Sequence, residues 1–418
     1  MAFSDGGIKG RLKQSIRQPP NSLPCARAGE GWGGGGISQK CLHRNRAEAA
    51  TAPTLALPRK REREQNPIPP TPNKETTMLR HPVKTLAAVL LGTTLALAPV
   101  HARSVRDING NAVEIPDQVN RIADLWPANN QVVLLLGGAD KLVGTVETIQ
   151  QRPWFAKVYP RIKKVPALSN GTTVQSEALL AARPDVVLLS EPALQQQVKQ
   201  AGLKTVMVKF QTYEGLKKTV SITADVIGGN APQVAKQYNA ELDANIRFVS
   251  ERTKNIPAAQ KPLVLHLFDG KNLRKIDGGR SIIGDWVRIA GGRTALPNEP
   301  NIAEVPMEEI VKANPDIIII GGRDAAQAIA KIRKDPAWQS IKAVKNNRLH
   351  ANPAGTFGWD RYSAEGALQV LWAGKLLHPD RFRDVDIAAK TQAFYKKYYR
   401  YDLSKSDAQR IIQGMDPQ

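Results

Sequence analysis

Seven aromatic and arginine residues follow short apolar runs, at positions where the strands of a parallel sheet would end. Trp126 follows RIADL (121–125), Arg152 and Trp154 follow KLVGT (141–145), Arg280 follows LRKI (273–276), and Trp359, Arg361 and Tyr362 lie in the loop after RLHA (348–351). Ligands of open α/β sheets gather beyond the carboxyl ends of the strands. Aromatic rings stack on flat ligands, and guanidinium groups bind carboxylate or phenolate oxygens bidentately. The seven residues therefore predict a site for a flat, anionic ligand.

The same residues also have structural explanations. Each tryptophan taken alone is equally compatible with a packed core position. Arg361 could instead pair with Asp360 or Glu365, and Arg152 could be solvated in its loop. The prediction depends on the set, because several separate loops supply it.

The sequence offers little for metal coordination by side chains alone. Both cysteines precede residue 78, so disulfides, thiol catalysis and cysteine-ligated metals are excluded beyond it. His266, His350 and His378 are too scattered for a direct metal cage. This argues against a site for a bare zinc or manganese ion, whereas haem held by a tyrosine such as Tyr362 stays open.

Motifs of α/β enzymes are missing as well. Gly321-Gly322-Arg323 does not supply the glycine pattern of a dinucleotide site, and Gly279 to Gly284 misses the serine-hydrolase motif by one residue. We therefore predict no catalytic residue, no metal ligand and no cofactor. An exported α/β enzyme is the alternative from another functional class.

Two segments 131 residues apart share one pattern. In each, a Glu stands seven residues before a Pro-Asp pair, and an aliphatic run follows: Glu177, Pro184-Asp185 and VVLLS, then Glu308, Pro315-Asp316 and IIIIGG. Aliphatic runs bounded by turn residues are typical of strands buried on both faces of a parallel sheet. The repeat predicts two similar α/β lobes, 103–229 and 258–418, the second ending in helices.

A long amphipathic stretch separates the two predicted lobes. Pro232 suits a first helical turn and Pro257 ends the stretch, while Val234, Tyr238, Leu242, Ile246 and Val249 recur at helical spacing. The pattern predicts a helix over 231–255 within a linker of 230–257. The predicted fold class is α/β, with two Rossmann-like lobes that have parallel central sheets and are joined by a single long interdomain helix.

The charge of the chain is unevenly distributed. Its 418 residues carry a formal charge of +21, and from residue 103 onward 44 basic and 32 acidic residues leave +12. Residues 78–102 have the layout of a secretory signal peptide, with two basic residues, an apolar run and a small-residue end at Ala102. Residues 1–77 are rich in Gly and Pro without apolar periodicity, which predicts a disordered or mis-called upstream extension.

Together, the paired segments, the two lobes and the linking helix resemble a known family. It is the family of periplasmic substrate-binding proteins of ABC importers for iron–siderophore complexes, cobalamin and related ligands. The resemblance covers essentially all of 103–418, including LLLGGADKLVGT (134–145) and AGG (290–292). In that family an acidic residue on each lobe docks onto arginines of the permease. By motif position these are Glu177 and Glu308, with Glu309 able to replace Glu308; the alternative is a first-turn role favoured by the helix dipole.

The resemblance implies a function without chemistry. We expect a monomer that captures a ferric chelate in the periplasm and delivers it to a permease and its ATPase, with haem, cobalamin or an oxyanion such as molybdate as alternative ligands. No cysteine stands near the end of the signal peptide, so no lipid anchor is expected. Export and the lack of a dense basic tract after residue 102 argue against nucleic-acid binding.

Overall fold

The computed structural model describes residues 102–418. The predicted upstream extension, and the predicted signal peptide apart from Ala102, lie outside the described residues. Across residues 102–418 the strands are β1 (Ala102–Arg106), β2 (Ala112–Pro116), β3 (Ile122–Asp124), β4 (Leu142–Val146), β5 (Ala167–Ser169), β6 (Val186–Leu189), β7 (Thr205–Met207), β8 (Leu263–Leu267), β9 (Lys275–Asp277), β10 (Arg293–Thr294), β11 (Ala303–Glu304), β12 (Ile317–Ile320) and β13 (Leu349–Ala351).

Helices alternate with these strands and cover both sheets. They are α1 (Pro127–Leu135), α2 (Glu147–Gln150), α3 (Pro153–Val158), α4 (Ser176–Ala181), α5 (Pro192–Gln200), α6 (Tyr213–Ile227), α7 (Ala231–Thr253), α8 (Ile282–Ile289), α9 (Met307–Ala313), α10 (Ala325–Ile332), α11 (Lys342–Lys345), α12 (Gly366–Leu377), α13 (Ile387–Phe394) and α14 (Lys405–Ile412). Within residues 102–418, no helix combines the length and the apolar character that a membrane crossing requires.

The first lobe is built on a five-stranded parallel sheet in the order β5-β4-β3-β6-β7. Its central strands are aliphatic and buried on both faces, as a sheet covered by helices on both sides requires. The hairpin of β1 and β2 lies outside this sheet.

The second lobe contains a sheet in the order β11-β9-β8-β12-β13, with β10 also pairing with β8. Strands β8, β10, β12 and β13 are parallel. Strand β9 is antiparallel to β8, because the short connection after Leu267 forms a hairpin and not a helical crossover. The predicted α/β class with two lobes is confirmed, and the sheet of the second lobe contains one reversed strand, β9, which is antiparallel to both β8 and β11.

The repeated Pro-Asp segments have a common structural role. Asp185 accepts hydrogen bonds from the backbone N–H groups of Asn120 and Arg121 at 2.7 and 2.8 Å, and Asp316 accepts one from Leu263 at 2.8 Å. In both lobes the aspartate thus fixes the start of the neighbouring parallel strand. The residue before each proline, Arg183 or Asn314, has positive φ and ends the preceding helix. The repeat is therefore explained by sheet construction.

Helix α7 connects the lobes and packs against α6 and α12. Its 23 residues extend over about 34 Å at 1.5 Å per residue. Tyr238 donates a hydrogen bond to the carbonyl of Ala364 at 2.7 Å, and Asn245 donates to that of Ala367 at 2.9 Å. These bonds attach α7 to the segment that leads into α12, so the connection is stiff.

One hydrophobic core runs from the first lobe through α7, α8 and α12 to one face of the second sheet, and a smaller core covers the other face of that sheet. The C-terminal segment also contacts the first lobe. Arg400 donates to the carbonyls of Leu134 and Leu135, and Lys157 pairs with Asp407 at 2.9 Å. The two lobes are therefore joined by packing as well as by α7.

Candidate functional site

The carboxyl ends of the strands in the two sheets meet at one interlobe cleft. Trp126 follows β3 and Phe210 follows β7 in the first lobe, whereas Phe268 follows β8 and the loop 352–362 follows β13 in the second. The amide of Gln131 bridges the lobes by donating to the hydroxyl of Thr356 at 2.8 Å. The cleft lies where the strand-end rule predicts a ligand site.

Three aromatic rings meet across the cleft. The ring centroids of Trp126 and Phe210 are 5.3 Å apart, and Tyr362 of the second lobe lies 6.1 and 6.0 Å from them, all edge to face. Asn301 donates a hydrogen bond to the phenolic oxygen of Tyr362 at 2.8 Å. This group, called the aromatic trio below, contains two of the seven predicted site residues, Trp126 and Tyr362.

Arg152 lies between the lobes. Its guanidinium carbon is 3.8 Å from the ring centroid of Phe357 in the second lobe. Its Nε has no hydrogen-bond partner among residues 102–418. Burial lowers the pKa of Arg152 to about 10, the charge of Asp360 raises it and that of Arg323 lowers it. A guanidinium so poorly satisfied by the protein suits an oxygen-rich anion, because its N–H donors match carboxylate and oxyanion geometry.

Four buried charged residues form the floor of the cleft in the second lobe. Asp277 lies 2.9 Å from Nδ1 of His266 and 2.6 Å from the guanidinium of Arg361, and Asp360 lies 3.3 Å from Nε2 of His266 and 3.0 Å from Arg361. We call His266, Asp277, Asp360 and Arg361 the ionic network. Arg361 also stacks on Phe268 at 4.3 Å.

The ionic network sets the protonation of its members. Burial by itself lowers the pKa of His266, but hydrogen bonds to Asp277 and Asp360 outweigh it and raise that pKa above the ordinary value. Burial likewise opposes ionisation of Asp360, yet Arg361 and His266 hold its pKa well below the usual range. The network is therefore electrically balanced when His266 is protonated.

Three predicted site residues do not present free side chains to the cleft. Trp154 is 2% exposed and donates its indole N–H to the carbonyl of Met415 at 2.8 Å. Trp359 is 1% exposed within the core. Arg361 is 5% exposed and paired with Asp277 and Asp360. Arg361 thus forms the pair with Asp360 that its structural explanation predicts, and contact of these three side chains with a ligand stays a prediction.

Arg280 keeps an accessible side chain. It is exposed and forms no ion pair with any described residue. Its backbone forms a β-bridge with Pro300, the neighbour of Asn301, which donates a hydrogen bond to Tyr362. It is therefore available to a ligand at that end of the cleft.

Sequence reasoning missed Phe210, Phe357, Asn301 and Asp277. Phe210 stands two residues after the aliphatic run KTVMV (204–208), and Phe357 lies in the loop after RLHA, so the strand-end rule could have found both. Asp277 directly follows the run LRKI (273–276), so the same rule could have found it. Asn301 carries no such signal, because only the folded chain brings it to Tyr362. Within residues 102–418 no group of three or more His, Asp or Glu side chains is arranged to hold a metal ion.

The predicted docking residues lie at the same edge of the two sheets. Glu177 is in the first turn of α4, and Glu308 and Glu309 are in the first turn of α9. All three are exposed, and Glu309 lies 3.9 Å from Lys312. Both helices begin at the carboxyl edge of their sheet, so an acidic residue flanks the cleft on each lobe.

A groove of about 1110 Å³ lies away from the cleft, between the β1–β2 hairpin and helices α6 and α7. Charged groups of both signs line it, and several are paired with each other, such as Lys217 with Asp243 at 2.9 Å. The groove is not formed by the strand ends of the two central sheets, and the guanidinium groups of Arg103 and Arg106 that line it donate to backbone carbonyls.

Comparison with known proteins gives a consistent picture. Residues 122–354 match the model of a family described as periplasmic binding protein. The molybdate-binding protein MolA of Haemophilus influenzae is 23% identical over 355 residues, which cover 78% of this chain and 99% of MolA. The iron(3+)-hydroxamate-binding protein YxeB of Bacillus subtilis is 22% identical over 270 residues, covering 61% of this chain and 79% of YxeB.

A solved structure shares the fold. The periplasmic solute binding protein from Veillonella parvula superposes with a TM-score of 0.65 at 25% identity, covering 75% of this chain and 97% of that one.

Proposed function

This chain belongs to the periplasmic binding protein family of ABC importers, and from that premise we propose that it captures an anionic, oxygen-rich metal complex between its lobes. A ferric chelate is the leading ligand, and an oxyanion such as molybdate is the alternative. The observation that carries the proposal is the guanidinium of Arg152, which stacks on Phe357 between the lobes and keeps an unpartnered Nε.

Family membership fixes the coarser function. The chain is the solute-binding component of an importer and not an enzyme, and a cognate permease and ATPase are its partners. It acts outside the cytoplasm, as its relatives do. A free periplasmic form without a lipid anchor is part of our proposal, and fractionation of the host's periplasm and membranes tests it.

The charge of the cleft favours an anion. Arg152 and Arg280 form no salt bridge with any described residue, although the charges of Asp360 and Glu365 act on Arg152, and residues 103–418 carry a net charge of +12. An unpaired guanidinium in a partly desolvated position gains most from an anion that accepts two hydrogen bonds.

The two ligand candidates rest on different parts of the cleft. The aromatic trio and Arg280 suit a chelate with aromatic or conjugated groups, since ring edges and a guanidinium both contact such a ligand. The guanidinium of Arg152 also suits a small oxyanion, and the relative MolA is named for molybdate. Relatives named for iron(3+)-hydroxamate and for molybdate have similar identity to this chain, so ligand titration has to separate the two.

The ligand test is a calorimetric titration of the purified protein with a ferric catecholate, a ferric hydroxamate and molybdate. We expect a ferric chelate to bind. Arg152→Ala should lower the affinity for that chelate about 100-fold, because it removes a buried charge-assisted contact. Arg161→Ala, which removes an exposed arginine from the same lobe, is the matched control and keeps full affinity. Binding of molybdate alone selects the alternative ligand, and binding of none of the three rejects the proposed ligand class.

Docking is tested separately from ligand binding. We propose that Glu177 and Glu308 contact arginines of the permease. In nanodiscs containing the cognate permease and ATPase, Glu177→Arg with Glu308→Arg should abolish stimulation of ATP hydrolysis without changing ligand affinity. Glu304→Arg on the same lobe is the control for added positive charge, since Glu304 is equally exposed and pairs with Arg274. Equal stimulation by the double variant and the native protein contradicts this assignment.

A further inference from the structure

Asp277 ties together three segments that are distant in sequence. It lies at the end of β9 and is 1% exposed. Its carboxylate contacts His266 of β8 and Arg361 of the loop after β13, and it accepts a hydrogen bond from the backbone N–H of Ile302 at 3.1 Å. The position of the loop around residue 302 and that of the loop around residue 361 therefore depend on one carboxylate.

Two residues held by these contacts have backbone conformations that only glycine adopts easily. Ile302 has φ +59° and Tyr362 has φ +52°. For a β-branched residue such as isoleucine, positive φ is a genuine outlier. Strained residues of this kind persist where the surrounding contacts over-determine their geometry. Asn301 joins the two, because it precedes Ile302 and donates to the phenolic oxygen of Tyr362.

We infer that Asp277, acting with the rest of the ionic network, is a positioning residue that holds Asn301, Ile302 and Tyr362 in the strained arrangement that places the Tyr362 ring against the first lobe. The geometric part of this inference is independent of the ligand, whereas its consequence for binding rests on the proposed function. Asp277 itself is enclosed by protein.

Charge balance gives the inference a specific signature. The groups that face His266 are Asp277 from β9 and Asp360 and Arg361 from the loop, with the uncharged ring of Trp286 from α8 at 6.0 Å. Asp277→Asn leaves one carboxylate against two cations. Adding His266→Gln restores one carboxylate against one cation. If charge balance holds the loops, the second substitution partly repairs the damage done by the first.

The test is amide hydrogen exchange by mass spectrometry on the purified full chain without any added probe. Asp277→Asn should speed exchange of the peptides containing 300–302 and 360–362 at least tenfold. The double variant Asp277→Asn with His266→Gln should return to within about threefold of the native rate. Asp107→Asn is the matched control, because Asp107 is 4% exposed and accepts backbone hydrogen bonds from Asn109 and Asn111 in the distant hairpin. It should leave both cleft peptides unchanged.

Two results overturn the inference. One is exchange in Asp277→Asn that is no faster at these peptides than in Asp107→Asn. The other is a double variant no slower than Asp277→Asn, which would reduce Asp277 to a packing role. If Asp277→Asn fails to fold, Ile302→Gly is added to it: recovered folding supports the inference because glycine removes the strain, and continued failure overturns it.

Binding is measured in a second arm with ferric catecholate and molybdate as probes. Asp277→Asn should lower the affinity for whichever probe the native protein binds at least tenfold. Unchanged affinity would overturn the inference that Asp277 supports ligand binding. If the native protein binds neither these two probes nor ferric hydroxamate, the proposed ligand class fails, while the exchange result still decides the role of Asp277.

Discussion

The two walls of the cleft are supported in different ways. Trp126 of the first lobe is held by uncharged groups around the single carboxyl group of Asp124. That carboxyl group accepts hydrogen bonds from the backbone N–H of Trp126 at 3.2 Å and from the side-chain amide of Asn129 at 3.0 Å. Tyr362 of the second lobe is backed by the four charges of the ionic network. The backbone explains the difference: Trp126 has an ordinary extended conformation at φ −109°, whereas Tyr362 has φ +52°.

The comparison teaches that relaxed backbone needs only ordinary hydrogen bonds, whereas strained backbone is accompanied by stronger contacts. Burial raises the pKa of Asp124 well above its usual range, against the hydrogen bonds from Trp126 and Asn129. In the second lobe, opposite charges overcome burial and keep Asp360 ionised. The first wall should therefore tolerate loss of a charge better than the second.

The largest effect is expected from Arg361→Met. It leaves the carboxylates of Asp277 and Asp360 buried with only His266 as an ion-pair partner within the ionic network, and breaking a buried ion pair on one side costs about 3–5 kcal/mol. Urea denaturation measures the free energy of unfolding. Arg280→Met, at an exposed position, should leave that free energy unchanged. A loss in Arg361→Met no larger than that caused by Asp124→Asn would remove the contrast between the walls.

His266→Gln should lower the free energy of unfolding by about 2–3 kcal/mol at pH 6, which is the typical contribution of hydrogen bonds to charged groups. Because the folded pKa of His266 is raised above the ordinary 6.5, its stabilising contribution is complete below about pH 6.5 and is lost as pH rises through the folded value. Denaturation at several pH values should therefore show the variant approaching the native protein as pH increases. A difference that is constant with pH would mean that the charge of His266 contributes nothing.

Asp124→Asn should cost about 1–2 kcal/mol, because one buried acceptor for Asn129 is replaced by a donor. No large charge imbalance follows, since no ion pair is broken. The same urea measurement with Asp107→Asn as the control compares two buried carboxyl groups outside the ionic network. A cost near that of Arg361→Met would show that the first wall is as charge-dependent as the second.

The smallest effect is expected from Trp126→Phe, below about 1 kcal/mol, because an aromatic ring still meets Phe210 and Tyr362 edge to face. Intrinsic fluorescence should fall by the contribution of one indole. Phe248→Leu at an exposed position is the control for loss of ring area. A cost above 2 kcal/mol would mean that Trp126 supports the lobe contact and does not simply line the cleft.

Part of the site could be predicted from the sequence because strand ends are local features. The aliphatic runs placed Trp126, Arg152 and the loop 352–362 at the carboxyl edge of a sheet, and the structure brings them to one cleft. The same rule also selected Trp154 and Trp359, which are buried. The rule indicates which residues follow a strand, but not which other residues bury their side chains.

Local sequence patterns determined the two α/β lobes, the repeated Pro-Asp segments and the long helix, since hydrophobic periodicity and turn residues act over a few neighbouring positions. Tertiary structure decided which candidates keep accessible side chains. Trp154 donates its indole N–H to the carbonyl of Met415, 261 residues away, and Arg361 is paired with Asp277, 84 residues away. Such partners are chosen by the packing of whole lobes, so no spacing within the chain reveals them.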